Sequence, residues 1–584
     1  MVLQSQTSSK VESCRFLLEG QAKNLADRLF GPDGPPIGTS FAELERITLA
    51  VSDEGRKRLL ELLLIRQAEA MHRELPENLR HCPLCGRVTV TRDPEPRRLQ
   101  SCAAIVEWQE PHRYCGRCRK AFFPQSKMLG LDLGQYSVSL LDLIVYAGAN
   151  KPSFREASAD LQKMSGQTVH EKQVERLTKR IGLERRAERQ AQIEHFLKLP
   201  LVDRCEKTPG GVEAPGDDQV AVIMADAGMM QVRDAPEQPE EADEALASLA
   251  ADDVASAAQE AEAGEEDDDD DQTKPPSGRH WREDKVGLAL TMQSTVSESD
   301  PFPEIPKTFL DPKRVAKIVR GLKKSSALRV EEEEAATDQG ADSSGEVEPE
   351  ELIEQLEYKG PKLEKRRVVA SRQSWPIFGV MLACLAWMSG FAPAKRKAFV
   401  ADGARAIWRV WKSRFSSYTP ILDFIHAMSY VYAAAKALGG DSKVEGWRLY
   451  VEWIRWVWKG NVAAVIERLE TWQQEHGSPE KSESATTVRS VIAKSLRYLR
   501  NNQDKMKYAE YRKQGLPVVS SLVESMVKQI SRRVKGTEKF WGEEGAEAIL
   551  ELRADYLSDG EIMETFWMRR QAAATGQRCY RARS

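Results

Sequence analysis

The sequence predicts a mixed α/β protein in which buried strands carry acids and helices cover them, preceded by a cysteine-bearing ribbon and a group of short helices. Three observations lead there. The apolar runs VAVIMAD, ending at Asp226, and AFVAD, ending at Asp402, have the unbroken hydrophobicity of buried strands. The run SSLVESMVKQI has helical spacing and holds Glu524 inside it. Two C-x-x-C knuckles, HCPLCGR and YCGRCRK, frame segments that alternate in the manner of strands.

Composition agrees with a chain of several domains. Its 584 residues are ample for three or more, and 41% hydrophobic with 30% charged residues is ordinary for a globular protein. The net charge of -4 would speak against a nucleic-acid partner if it were evenly spread. Instead, acidic stretches near 234–272 and 331–356, with EEDDDDD and EEEE, leave the remainder basic. The opening MVLQSQTSSKVESCRF has no cationic start followed by an apolar core, so no secretory leader is expected. The run IFGVMLACLAWMSGF is shorter than the ~20 residues of a membrane span and is expected to be a buried helix. A cytoplasmic, nucleoid-associated protein with no membrane partner is the expectation.

Taken in order, residues 1–75 read as a helical region, with LERITLAVSDEGRKRLLELLLIRQAEAMH carrying little specific chemistry. Residues 76–130 read as a zinc ribbon. Cys82, Cys85, Cys115 and Cys118 have the spacing that lets thiolates grip one tetrahedral Zn²⁺, with Gly86 or Gly116 easing the backbone approach. Four thiolates leave no open coordination position, so the ion is structural. The nine cysteines, an odd number, fit a disulfide framework poorly, although a redox pair at each C-x-x-C is the alternative. The neighbouring Arg87, Arg117, Arg119 and Lys120 are either phosphate contacts or simply solvated.

Residues 135–198 predict three helices, with Ser153 and Glu156 spaced as a capping box and a turn at SGQ. As a helix-turn-helix-like domain, its third helix would turn Lys172, Arg176, Lys179 and Arg180 toward DNA; three short helices also make a plain packing module. Residues 215–560 hold the three acids. An ionised carboxylate among apolar residues is costly unless something positive meets it, and acids converging from strands and a helix suit divalent cations. Unrelated surface acids are the bland alternative in a chain with 89 of them.

Acidic inserts at 234–276 and 328–358 interrupt this region and bury too little apolar surface to fold, which predicts disordered loops. DNA mimicry over a basic cleft is the other reading of them. Helical patterns run over 425–515, where Trp447, Trp453, Trp456, Trp458 and Trp472 cluster and read as core residues. Lys528, Arg532, Arg533 and Lys535 offer phosphate contacts, and 561–584 forms a basic tail.

The segments FVADGARAIW, LDFIHAMSYVYAAAKAL and SLVESMVKQISRRVKGTEKFW together resemble the core of bacterial insertion-sequence transposases of the ISKra type, within the DDE superfamily that includes Mutator-like and hAT elements. Asp423 and His426 match the acid-x-x-His signature that follows the second acid in those groups, and MADAGMMQVRD with WREDKVGLALTM looks like the first strand pair. The resemblance runs from about residue 75 to the C-terminus, apart from the inserts. It implies an RNase H-like α/β catalytic domain with a helical insertion, whose Asp226, Asp402 and Glu524 bind two Mg²⁺ (or Mn²⁺) ions, with His426 and Asp423 serving the reaction. It also implies cutting of element ends, stacking of the insertion's tryptophans on unpaired bases as the alternative to a core role, joining of the 3′-hydroxyl to target DNA, and a homodimer or larger assembly on DNA. A nuclease that cuts without joining, and a non-catalytic DNA-binding relative, are the rival readings.

Overall fold

The computed structural model describes residues 16–577 except 17–18, 21, 25, 33, 132–133, 234–280, 328–359, 481 and 537–538. Both acidic inserts, expected to be disordered, lie outside the described residues. The chain divides into two compact units, residues 1–178 with 561–584, and residues 179–560.

In the first unit, α1 (Phe41–Arg73) is a single long helix. Its Leu64 packs with Leu99, Val106 and Trp108 of the hairpin formed by β1 (Val90–Gln100) and β2 (Ile105–Cys115), and with Leu131. β3 (Lys120–Phe122) pairs antiparallel with β2, giving a three-stranded sheet in chain order. Gln125, in α2 (Pro124–Met128), accepts from Trp108 Nε1 at 3.0 Å and donates to the Leu64 carbonyl at 2.8 Å, so one buried amide ties helix to sheet. α3 (Val138–Asn150) and α4 (Phe154–Ser165) follow. Ser153 caps α4 as its spacing predicts: its Oγ accepts from Glu156 N at 3.1 Å and lies 3.0 Å from Glu156 Oε1.

The third helix of the expected helix-turn-helix differs from the short element read from sequence. α5 (Glu171–Lys198) is 28 residues long, and the border between the units falls inside it, after Thr178. Its second half is a core element of the second unit. Arg185 pairs with Asp555 at 2.8 Å and Arg189 with Glu551 at 2.6 Å, all with side chains at most 11% exposed. These two buried arginines are one turn apart, and the unit border after Thr178 falls inside the 135–198 segment.

After α6 (Leu201–Glu206), the second unit is built on a five-stranded sheet in the order β6-β5-β4-β7-β8. β4 (Gln219–Gln231), β5 (Trp281–Gln293) and β6 (Lys362–Ser371) are antiparallel neighbours, whereas β7 (Lys397–Ala401) and β8 (Thr419–Leu422) run parallel to β4. Between β5 and β6 lies α7 (Pro312–Ala327). Ala221, Ile223 and Ala225 of β4 face one side, packing with Phe378 and Leu382 of α8 (Trp375–Met388) and with Ile407 and Val410 of α9 (Arg405–Arg414). α8 contains most of the apolar run expected to be a buried helix, and among the described residues no helix is long and apolar enough to cross a membrane.

Between β8 and the acid-bearing helix come α10 (Phe424–Gly439), α11 (Lys443–Trp458), α12 (Val462–His476), α13 (Val488–Asn502) and α14 (Tyr508–Lys513), close to the helical insertion expected at 425–515. Phe424, Trp458 and Tyr508 meet edge to face in its core, and Arg512 lies 4.0 Å over the Trp458 ring while pairing with Asp300. Trp453 and Trp458 are therefore packing residues, at 3% and 1% exposure. α15 (Ser521–Val534) and α16 (Glu543–Leu557) cover the other face of the sheet. The chain then returns to the first unit as α17 (Ile562–Ala572), where the sequence suggested only a basic tail. Met563, Phe566 and Trp567 are buried, and Trp567 Nε1 donates to Asp142 at 2.6 Å.

Candidate acid site and cysteine cluster

Asp226 does not end its strand. It lies inside β4 opposite Val286 of β5, and the strand runs on to Gln231. The informative pairing is on the other side. β4 and β7 are matched as Ile223 to Phe399 and Met224 to Val400, and continuing that parallel register by two residues sets Asp226 beside Asp402. Asp402 follows the last residue of β7, and its Oδ1 accepts from Ala404 N at 2.9 Å, which shapes the turn into α9. Side chains alternate along β4, so Asp226 faces away from the Ile223 and Ala225 side and toward the face that α15 covers. Glu524 belongs to the first turn of α15.

Charge ties these groups together. Glu524 has its carboxyl pushed up to about 7, chiefly by burial, with His426 opposing and with Asp423 and Asp226 adding to the rise. Its Oε1 is buried and, among the described residues, has no hydrogen-bond partner. Burial pulls the His426 imidazole down, but the hydrogen bond and charge of Asp423, followed by Asp402 and Glu524, outweigh it and carry the group to about 10.

Asp423 has a distinct position. Its Oδ2 lies 2.6 Å from His426 Nδ1 and accepts from His426 N at 3.2 Å, while Oδ1 accepts from Ser520 N at 3.0 Å. The side chain is fully buried and caps α10. Asp423, His426 and Glu524 bring one potential ligand atom each to within 4.8 Å of one another, whereas among the described residues Asp226 and Asp402 complete no such group of three. Because both Asp423 oxygens are already engaged, we assign it to orienting His426 and anchoring the start of α15, not to holding an ion.

Sequence reading missed Asp284. This acid of β5 pairs with Gly228 on the Asp226 face, is fully buried, and among the described residues has neither oxygen hydrogen-bonded. A Cβ built on Gly228 would stand 3.1 Å from both oxygens and 3.2 Å from Val527, so the glycine leaves room for the carboxyl under α15. Burial first, opposed by Lys285 and supported by Asp226, pushes it up to about 7. Its setting in WREDKVG resembles an exposed charged stretch, and only the register reveals it.

Of the expected phosphate contacts, Lys172, Arg176, Lys528 and Arg532 are exposed, while Lys179, Arg180 and Lys535 are half-buried. Lys179 lies 6.0 Å over the Trp541 ring and Lys535 5.0 Å over Trp281. Arg533 is 2% exposed with its guanidinium 5.0 Å from the Trp541 ring, so it supports the fold and does not face solvent.

In the first unit, Cys82, Cys85, Cys115 and Cys118 bring their sulfurs within 4.8 Å of one another, with Cys82 Sγ 3.8 Å from Cys118 Sγ and Cys85 Sγ 3.7 Å from Cys115 Sγ. None is in a disulfide. The two knuckles repeat one turn: Gly86 N donates to the Cys82 carbonyl at 2.9 Å and Arg119 N to the Cys115 carbonyl at 2.8 Å. The left-handed residue is the one after each second cysteine, Gly86 at φ 72° and Arg119 at φ 53°; Gly116 has no such role. The Cys118 N–H, first among several donors, draws Cys115 down to about 7, while Cys85 and burial push Cys118 up to about 12. Four thiolates cannot share this space without a cation, and four soft ligands at this spacing could hold a metal ion such as zinc.

No family model matches the chain, and no curated protein matches it.

Proposed function

We propose that the chain is a DNA transposase of the insertion-sequence kind, which cuts an element's ends and joins the freed 3′-hydroxyl to target DNA. The observation that carries the reading is the side-by-side register of Asp226 and Asp402 on parallel strands, under a helix that brings half-buried Glu524 to the same charge cluster. The sheet supports an RNase H-like assignment: its first three strands in chain order form an antiparallel meander, and the fourth and fifth follow parallel to the first. Five inserted helices before Glu524 fit the same reading.

The residues suit a divalent cation, since the unpartnered Glu524 Oε1 and the mutual repulsion of the acids are what a positive ion relieves. Asp226, Asp402 and Glu524 would hold Mg²⁺ or Mn²⁺, which when bound supplies Lewis-acid activation of the attacking oxygen and stabilisation of the leaving one. His426 keeps Nδ1 on Asp423, leaving the Nε2–H of an imidazolium to steady a phosphate oxygen. Asp423 fixes that ring and, through Ser520, the start of α15. The cysteine cluster would hold one structural Zn²⁺, and exposed Lys172, Arg176, Lys528 and Arg532 would contact DNA. Two element ends need to be held at once, so a homodimer or larger assembly is part of the proposal.

The test uses full-length protein, Mg²⁺ and DNA from the borders of the encoding element. Joining of a pre-cut end to a second duplex supports a transposase; cutting with no joining supports the nuclease; neither, with zinc and folding intact, removes the proposal.

A further inference from the structure

A groove of about 1170 Å³ runs alongside Asp402, lined by α9, α10 and α13. Pockets for small ligands are of about 300–1,000 Å³ and mostly apolar. This one has another character. Arg405, Arg409, Lys412, Lys494, Arg497 and Lys505 line it, and among the described residues no carboxylate does. The first three lie at i, i+4 and i+7, so one face of α9 presents them together. Arg409, Lys412 and Lys494 are exposed and, among the described residues, pair with no carboxylate.

Flat rings lie among these cations. Trp408 and Trp411 are half-buried, and Lys505 sits 5.4 Å over the Trp408 ring. Tyr430 and Tyr498 stack at 3.7 Å with 13° between their planes. The groove is joined to the acid site by more than proximity. Tyr498 donates its hydroxyl to the Asp402 carbonyl at 2.6 Å, and a Cβ on Gly403, which has φ 100°, would stand 2.8 Å from that same ring.

We infer that this groove binds an unpaired DNA strand leaving the acid site, its phosphates on the cations of α9 and α13 and its bases against the aromatic rings. Cations interleaved with aromatic faces are the pattern that holds single strands without reading sequence, because every base has a flat face. The choice of DNA rests on the proposed function; the binding of a single strand rests on the groove.

The experiment measures binding of a fluorescent oligothymidylate of about 15 nucleotides, within known single-strand site sizes, to the full chain without divalent metal, across a salt series. A duplex of equal length is the competitor. The single strand should bind more tightly than the duplex. The variant Arg409→Ala/Lys412→Ala/Lys494→Ala, altered only at exposed side chains, should lose roughly tenfold or more in affinity, and its salt slope should fall by about 2, near 0.7 per lost contact. Asp226→Ala should bind the oligonucleotide like the unaltered protein. Unchanged affinity and slope in the triple variant, or preference for duplex, overturns the inference. If binding follows the groove residues but no DNA is ever cut or joined, the groove stands and the transposase reading fails.

Discussion

Gly182 of α5 lies against the backbone of Ala548 in α16, so close that a Cβ on the glycine would stand 2.3 Å from the Ala548 carbonyl oxygen. Within two turns, the same contact carries the buried Arg185–Asp555 and Arg189–Glu551 pairs. No rotation relieves a methyl against backbone, so the helices must separate and leave charges unpaired. Gly182→Ala is expected to cost about 2–4 kcal/mol, from overpacking with partial loss of paired charge, measured by denaturant unfolding. A variant as stable as the parent would mean that the two helices do not pack as described.

The acids are expected to act together. Asp226→Ala, Asp402→Ala and Glu524→Ala should each lower Mg²⁺-dependent cutting by at least ~10²-fold, the scale of losing a principal electrostatic group, with DNA binding largely kept. Parental cutting by any one of them removes that residue from the site.

Glu524 also makes a prediction about stability without metal. Its folded pKa, about 7, is above the usual value near 4.3, so the protonated form is favoured on folding. The resulting stability is full below about pH 4 and is lost as pH rises through 7. Glu524→Gln, which keeps the shape and removes the charge, should therefore raise Tm at pH 8 and change it little at pH 4. Added Mg²⁺ should raise the Tm of the parent more than that of the variant. A fall in Tm at pH 8 would contradict the buried-charge account.

His426 should titrate near pH 10 in metal-free protein, against about 6.5 for a free imidazole. A raised histidine stabilises the fold fully below about pH 6.5, and that contribution disappears as pH passes 10. Asp423→Asn removes the charge and leaves a single acceptor oxygen for the His426 and Ser520 N–H groups, so the His426 resonance followed by NMR should titrate well below its parental value. An unshifted titration would assign the effect to other acids.

One tightly bound Zn²⁺ per chain should depend on Cys82, Cys85, Cys115 and Cys118. Metal analysis of Cys82→Ser/Cys115→Ser should find it gone, while Cys102→Ser and Cys205→Ser, at exposed sites, keep it. Arg119→Gly should stabilise the second knuckle by about 1 kcal/mol, since a side chain is strained at φ 53°.

Periodic segments were legible in the sequence and tertiary choices were not. The strands bearing Asp226 and Asp402, the helix bearing Glu524 and the Ser153 cap follow from apolar runs and capping chemistry, which are local. The fate of basic residues is not local: Arg533 and Arg185 differ from Arg532 and Arg176 only in which helix face meets a tryptophan or an acid far along the chain. The same holds for Asp284, hidden by its pairing with Gly228, and for the groove cations of α9. RAIWRVWK does show arginine and tryptophan on one helical face, a signal that needed only the periodicity already applied to its neighbours.

The bond from Ser520 N to Asp423 Oδ1 spans 97 residues, and Phe424 N closes the same gap by donating to the Val518 carbonyl at 2.9 Å. Everything between them, α10 to α14, must therefore be in place before Glu524 can meet His426. On a ribosome, a nascent chain that has emerged only as far as β8 has two of its acids but not the third, nor the anchor that would seat it. The acid cluster is thus completed only once α15 has been made, and a chain cut before it would also lack Trp567, which bonds Asp142 in the first unit.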